Sequence, residues 1–200
     1  QNPYNLNSYA AFGEGYYNVT SDLKLTAGLR WTDDQKHFVE IPSELLTNGF
    51  GYPSTGTIDQ EWREFTGRFV ANWSPKIPFT DQTMLYASYA HGYKAGGANP
   101  PGAVLLSYGT GDITNPTHPT TFAPEFNDAF ELGTKNTLLN GAVTFNGNIF
   151  YYDYKGYQIS QIVDRTSVNL NVDTTSWGAE LEATWEPVPG LKFGFNGGYE

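Results

Sequence analysis

Hydrophobic and polar residues alternate along most of the chain. From Leu23 to Trp31 every second residue is apolar, and the residues between them are Lys, Thr, Gly and Arg. A period of two predicts a β-strand with one apolar and one polar face. The segment 127–154 contains two such runs, joined by Leu139-Asn140-Gly141. Because Asn-Gly supplies the positive φ angles that a tight turn requires, this segment is predicted to be a β-hairpin.

The alternation predicts eight strands in all. They are 8–20, 23–33, 61–74, 82–93, the two arms of the hairpin in 127–154, 175–186 and 191–200. Short turns join the strands of each pair, whereas 34–60, 94–126 and 155–174 are predicted to be loops, the last with strand-like patches at 158–163 and 168–172. Short turns at one end and long loops at the other are typical of outer-membrane barrels. The predicted fold is therefore all-β, an antiparallel up-and-down transmembrane β-barrel.

The two predicted faces differ in charge. Where the alternation holds in the second, third, fourth, sixth, seventh and eighth strands, the apolar positions contain one ionisable side chain besides tyrosine, His91. The charged side chains share the opposite parity: Lys24, Arg30, Arg68, Glu180, Glu182 and Lys192. A lipid-facing Arg or Lys at the bilayer midplane costs about 2–4 kcal/mol, a cost that a water-filled lumen avoids. The apolar face is therefore predicted to contact lipid and the polar face to line a lumen.

Aromatic residues on the apolar face gather near both ends of the strands. Those near the short turns are Tyr17, Trp73 and Trp185, and those near the long loops are Trp31, Tyr93, Tyr151 and Trp177. Amphipathic rings favour the membrane–water interface, so we expect two aromatic belts.

Composition removes several other classes of function. The net charge of −10 and the lack of any basic run disfavour nucleic-acid binding. There are no cysteines, and the three histidines, His37, His91 and His118, show no zinc-ligand spacing. Glu180 and Glu182 could form an acid–base pair, but they share their parity with Lys24, Arg30 and Lys192, which favours a polar wall. No catalytic site, metal site or cofactor is predicted, and the chain is not expected to be an enzyme.

Several stretches, in order along the chain, resemble the C-terminal barrel of TonB-dependent outer-membrane receptors. They are LKLTAGLRWTDDQKHF (23–38), FTGRFVANWSP (65–75), LYASYAHGYKAGG (85–97), FAPEFNDAFELGTKN (122–136), NGNIFYYDYKGYQ (146–158) and WGAELEATWEPVPGLKFGFNGGY (177–199). The resemblance implies that the predicted strands are part of a barrel of about 22 strands that surrounds a plug. Residues 1–200 are then expected to be part of one barrel domain, an internal fragment without the plug.

The resemblance also implies a function and a location. Such receptors lie in the bacterial outer membrane and import metal chelates such as ferric siderophores, or other large nutrients, with energy delivered by the inner-membrane TonB complex. The implied partners are outer-membrane lipid, the nutrient ligand and, through the absent plug, the TonB complex. In this family long extracellular loops and the lumen wall recognise the ligand. The candidate ligand-binding residues on that basis are Tyr93, Lys94, Tyr108, His118 and Arg68.

Two other interpretations remain open at this point. One is a soluble β-sandwich or jelly-roll module whose exposed aromatic rings stack on glycans. The other is a complete eight-stranded outer-membrane barrel with a structural role, closed by its first and last strands. Small or polar residues on the lumen parity, such as Gly28, Asn146 and Gly194, favour a roomier and wetter interior than such a barrel has.

Overall fold

A computed structural model describes residues 3–40, 56–99, 121–163 and 166–200 of the chain. These residues form strands, turns and short connections. The strands are β1 (Tyr4–Asn18), β2 (Leu23–Glu40), β3 (Gly56–Trp73), β4 (Gln82–Lys94), β5 (Gly97–Ala98), β6 (Thr121–Phe122), β7 (Glu125–Leu138), β8 (Val143–Val163), β9 (Thr166–Val188) and β10 (Leu191–Tyr199). No helix in these ranges is both long and apolar enough to cross a membrane.

Eight of the strands form one antiparallel meander. Their order in the sheet is β1-β2-β3-β4-β7-β8-β9-β10, and β5 pairs with β6 in a separate two-stranded ribbon. The predicted up-and-down arrangement is therefore confirmed. β1 and β10 stand at opposite ends of this order, so the described strands do not close into the small barrel considered above. They also do not divide into the two stacked sheets of a sandwich.

Several predicted loops are in fact strand. The first 7 residues of the predicted loop 34–60 continue β2 to Glu40, and β3 already begins at Gly56. The two strand-like patches in 155–174 are the outer parts of β8 and β9, which are 21 and 23 residues long. β8 bends where its register with β9 shifts between Tyr154 and Tyr157, and Gly156 takes the positive φ of 65° there.

The predicted hairpin turn is confirmed in detail. Leu139, Asn140 and Gly141 all have positive φ, at 57°, 55° and 86°. The Gly141 N–H donates to the Asp81 carboxylate at 2.9 Å, which ties this turn to the neighbouring connection between β3 and β4. The register of β7 and β8 pairs Leu138 with Val143, directly across the turn.

The apolar face of the sheet is exposed. Leu29 is 59% exposed, Phe69 46% and Trp177 59%, while Val168 is the only buried hydrophobic residue in the part of the chain described. A soluble protein rarely leaves so large an apolar surface in water. A sheet with this face and almost no core requires an apolar solvent on one side, which agrees with the predicted lipid contact.

The register shows where the apolar face ends. Tyr89, Phe130, Tyr151 and Trp177 form one row across four strands, and the next row consists of His91, Asp128, Asp153 and Thr175. His91, predicted as a lone ionisable group, lies 2.8 Å from the Asp128 carboxylate. On β2 and β3 the same change occurs between the pair Trp31–Phe65 and the pair Asp33–Arg63. His37, which falls in a predicted loop, lies in β2 beyond this boundary and contacts Asp59 at 2.5 Å.

Candidate functional site

A charged pair crosses the polar face of three strands. Glu14 pairs with Gly28, and Gly28 pairs with Arg68, so the three residues form one row. The Arg68 guanidinium donates to the Glu14 carboxylate at 2.7 Å over the middle strand. A Cβ at residue 28 would lie 3.1 Å from Oε2 of Glu14 and 3.5 Å from Cγ of Arg68. Glycine at residue 28 therefore leaves the space in which this ion pair forms.

A cavity of about 620 Å³ lies around this pair on the polar face. Its wall includes Phe12, Arg30, Asp34 and Tyr93 in addition to the Glu14–Arg68 pair. The Arg30 guanidinium lies 5.8 Å from the centre of the Phe12 ring, and its Nε donates to Thr32 Oγ1 at 3.1 Å. The wall thus presents guanidinium groups, carboxylates and aromatic rings to one volume.

The parity of Tyr93 predicts that it lies in the outer aromatic belt, but in the structure Tyr93 lines the cavity on the polar face. The register between β3 and β4 ends at Gly67–His91, and beyond this point the two strands separate. The Tyr93 hydroxyl is buried, and the carboxylates near it are those of Asp34 and Glu64. Since Asp34 and Glu64 share the polar parity of β2 and β3, Tyr93 reaches the cavity through the gap between the strands.

Lys94 is held in an ion pair at the end of β4. Its Nζ lies 3.4 Å from the carboxylate of Glu125, its cross-strand neighbour on β7. The same Glu125 oxygen accepts the N–H of Gln158 at 3.0 Å. Lys94 is therefore next to the cavity and does not line it.

The two ends of the segment between β4 and β7 are fastened to β8 and β9. Gln158 Nε2 donates to the carbonyl oxygens of Ala95 and Ala123, at 3.0 and 3.1 Å. Asn171 accepts the Ala123 N–H at 2.7 Å and donates to the carbonyls of Ala123 and Gly156, at 2.9 and 2.6 Å. Two side-chain amides thus replace backbone pairing where the chain leaves the sheet.

Lys36 holds the same segment from the β2 side. Its Nζ donates to the Gly96 carbonyl and lies 5.4 Å from the centre of the Trp62 ring. Burial lowers the pKa of Lys36, and the carboxylate of Asp34 opposes this shift. The base of the segment therefore lies between the polar face of β2–β3 and the outer ends of β8–β9.

A second polar cluster lies on the other half of the sheet. The register aligns Tyr86, Gly133, Asn148 and Glu180 in one row. The Tyr86 ring covers Gly133, where a Cβ would come within 2.5 Å of the ring, and its hydroxyl donates to Glu131. Asn148 Nδ2 lies 3.2 Å from Glu131 and 3.3 Å from Glu180. Glu180 thus belongs to a hydrogen-bonded polar wall, and Glu182 lies on the same polar face in register with Asn146, as their shared parity with the lysines and Arg30 indicated.

The predicted site residues differ in where they lie. Arg68 and Tyr93 line the same cavity, and Lys94 lies next to it. Tyr108 and His118 lie outside the described residues. Sequence reasoning missed Glu14 and Phe12, whose position depends on the pairing of β1 with β2. Phe12 breaks the apolar alternation of the first strand, and that irregularity was the available signal.

Comparison with known proteins gives a consistent picture. The family model described as TonB dependent receptor-like, beta-barrel matches residues 1–200. The pesticin receptor of Yersinia enterocolitica is 26% identical over 189 residues, which are 94% of this chain and 25% of that protein. Among solved structures, the ferric yersiniabactin uptake receptor FyuA from Yersinia pestis superposes with a TM-score of 0.72 at 21% identity, over 98% of this chain and 27% of that one. The copper transporter OprC superposes with a TM-score of 0.65 at 16% identity, over 96% of this chain and 28% of its own.

Proposed function

The chain belongs to the TonB dependent receptor-like β-barrel family, and from this premise we propose that it is part of an active importer of a metal chelate such as a ferric siderophore. The chain spans about a quarter of the length of the curated relatives that it matches. Its sheet is a segment of an outer-membrane barrel wall. The activity, the ligand and the partners belong to the receptor of which we propose this wall is a part.

The exposed apolar face is the observation that carries this proposal. It meets lipid, whereas the opposite face carries the ion pair Glu14–Arg68, the cluster around Glu131 and two cavities of about 620 and 600 Å³. A wall that is apolar outside and hydrogen-bonded inside supports a lumen through which a polar solute passes.

The choice of a metal chelate rests on similarity to relatives. FyuA, which superposes on 98% of this chain, is by its name an uptake receptor for ferric yersiniabactin. A further structural relative, PiuA from Acinetobacter baumannii, is named a siderophore receptor and superposes with a TM-score of 0.63. We propose that uptake is coupled to the TonB complex, as the family name implies, and that the coupling acts through a plug domain inside the barrel. Catalysis has no part in this function.

Growth under iron limitation tests the proposal. A strain that lacks the intact receptor should lose growth on at least one ferric chelate as sole iron source, and a plasmid copy should restore it. The same strain with its TonB gene removed should fail to respond to the plasmid. If the deletion changes neither growth nor uptake of radioactive iron for any ferric chelate supplied, the proposed substrate class is wrong, although the barrel assignment stands.

A further inference from the structure

Arg30 occupies a distinct position in the lumen wall. It lies on the polar face of β2 in one row with Phe12 of β1 and Thr66 of β3. Trp31, the next residue, faces the other side at the last aromatic position before the charged pair Asp33–Arg63. The Arg30 guanidinium is therefore at the outer end of the lumen, where a ligand that arrives from outside enters.

The other guanidinium group of this cavity already has a counter-charge. Arg68 is paired with the Glu14 carboxylate at 2.7 Å. Arg30 has a hydroxyl and an aromatic ring beside it, and within the described ranges no carboxylate lies at ion-pair distance from it. Of the two guanidinium groups that line this cavity, Arg30 is thus the one without a carboxylate at ion-pair distance among the described residues.

We propose that Arg30 is the anion-binding residue of this cavity and that the transported chelate carries an anionic group, a carboxylate or phenolate, which Arg30 contacts. A guanidinium binds such oxygens through paired N–H donors, and these charge-assisted bonds are among the stronger ones in proteins. Phe12 and Tyr93, on the same wall, supply rings against which an aryl group can stack. This inference rests on the proposed function and reassigns the ligand-binding role from Arg68, whose charge Glu14 satisfies.

Binding of two ferric complexes to the intact receptor tests this assignment. The probes are a ferric tris-catecholate, which is net anionic, and a ferric tris-hydroxamate, which is neutral, and the readout is quenching of receptor tryptophan fluorescence. Arg30→Gln should weaken the binding of the anionic complex at least about tenfold, since one charged hydrogen-bond partner is lost, and should leave the neutral complex unchanged. Arg30→Lys should recover part of the loss.

Lys24→Gln is the matched control. Lys24 lies on the same face of β2 as Arg30, and its replacement by Gln removes one positive charge, as Arg30→Gln does. The Lys24 ammonium group lies 4.7 Å from the centre of the Tyr16 ring, away from the cavity wall. The Lys24→Gln receptor should bind both ferric complexes as the wild type does. Glu14→Gln frees the Arg68 guanidinium beside the cavity and should therefore strengthen binding of the anionic complex.

Each of these results either supports or refutes the proposed role of Arg30. If Arg30→Gln binds the anionic complex as the wild type does, or if Lys24→Gln or Glu14→Gln weakens it equally, Arg30 does not have the proposed role. If the wild-type receptor prefers the neutral complex, the substrate class is wrong and the inference with it. If neither complex binds the wild type, the inference fails, and if the deletion also leaves growth on every ferric chelate supplied unchanged, the proposed function fails with it.

Discussion

Phe69→Arg is expected to prevent stable insertion of the barrel wall. Phe69 lies on the apolar face, between Ala27 and Tyr89 in the register. It is four residues from Phe65 and four from Trp73, the aromatic residues at the two ends of that face on β3. Four residues of a strand tilted by about 40° rise roughly 10 Å, which places Phe69 close to the middle of an apolar band of about 25 Å.

The expected cost follows from this depth. An Arg at the midplane of a lipid-facing position costs about 2–4 kcal/mol, equivalent to a roughly 30- to 700-fold shift of the folding equilibrium. Asn146→Arg is the control, because residue 146 lies on the polar face of β8 between Lys135 and Glu182. A new guanidinium there can contact Glu182 and water, so we expect a change of less than about 1 kcal/mol.

Folding of the intact receptor into lipid vesicles, followed as the folded fraction against urea concentration, measures both variants. Phe69→Arg should need a markedly lower urea concentration to unfold or should fail to insert, whereas Asn146→Arg should follow the wild type. Equal losses in the two variants, or a larger loss for Asn146→Arg, would refute the assignment of the two faces.

Three further substitutions test local features of the wall. Gly133→Ala places a Cβ within 2.5 Å of the Tyr86 ring, which displaces the Tyr86–Glu131 hydrogen bond, so it should lower the folding stability in vesicles by about 1–2 kcal/mol. Gly147→Ala is the control and should cost less, because its nearest contact would be 3.6 Å. Asn171→Leu removes three hydrogen bonds at the base of the segment between β4 and β7, so amide exchange of Ala123 should be about 5- to 100-fold faster. Asn169→Leu is the control and should leave this exchange rate unchanged, because the Asn169 side chain contacts Ser160. Gly28→Val fills the space between Glu14 and Arg68, so its effect on the melting temperature should not add to that of Glu14→Gln; full additivity would contradict the geometry of the pair.

The alternation of residues predicts strands well only where one face meets lipid. Between Trp31 and Leu23 the two faces have different solvents, and the period of two is clear. Beyond Trp31 both faces of β2 meet water, so Gln35, Lys36 and His37 show no apolar period and were assigned to a loop. The outer parts of β8 and β9 keep only short alternating patches, at 158–163 and 168–172, so the alternation predicts β9, which is 23 residues long, only over 175–186.

The candidate site depends on relations between strands, which a single sequence does not contain. Arg68 could be assigned to the lumen from its parity, but its pairing with Glu14 follows from the registers of β1, β2 and β3 together. Tyr93 was assigned to the lipid face because parity was extended past His91, where β3 and β4 separate. Tyr93 is still paired with Phe126 of β7, so parity identifies a face only while the strand is paired on both sides.

Solvent accessibility along β8 tests the central claim, that one face of this sheet meets lipid and the other a water-filled lumen. Residues 1–200 contain no cysteine, so in an intact receptor whose other cysteines, where present, are replaced by serine, single cysteines at each position from Phe145 to Tyr151 can carry nitroxide labels. Collision with oxygen should be high at the odd positions, including Ile149, and collision with a water-soluble nickel chelate should be high at Asn146 and Asn148. Accessibility without a period of two, or with the two faces exchanged, would contradict the account.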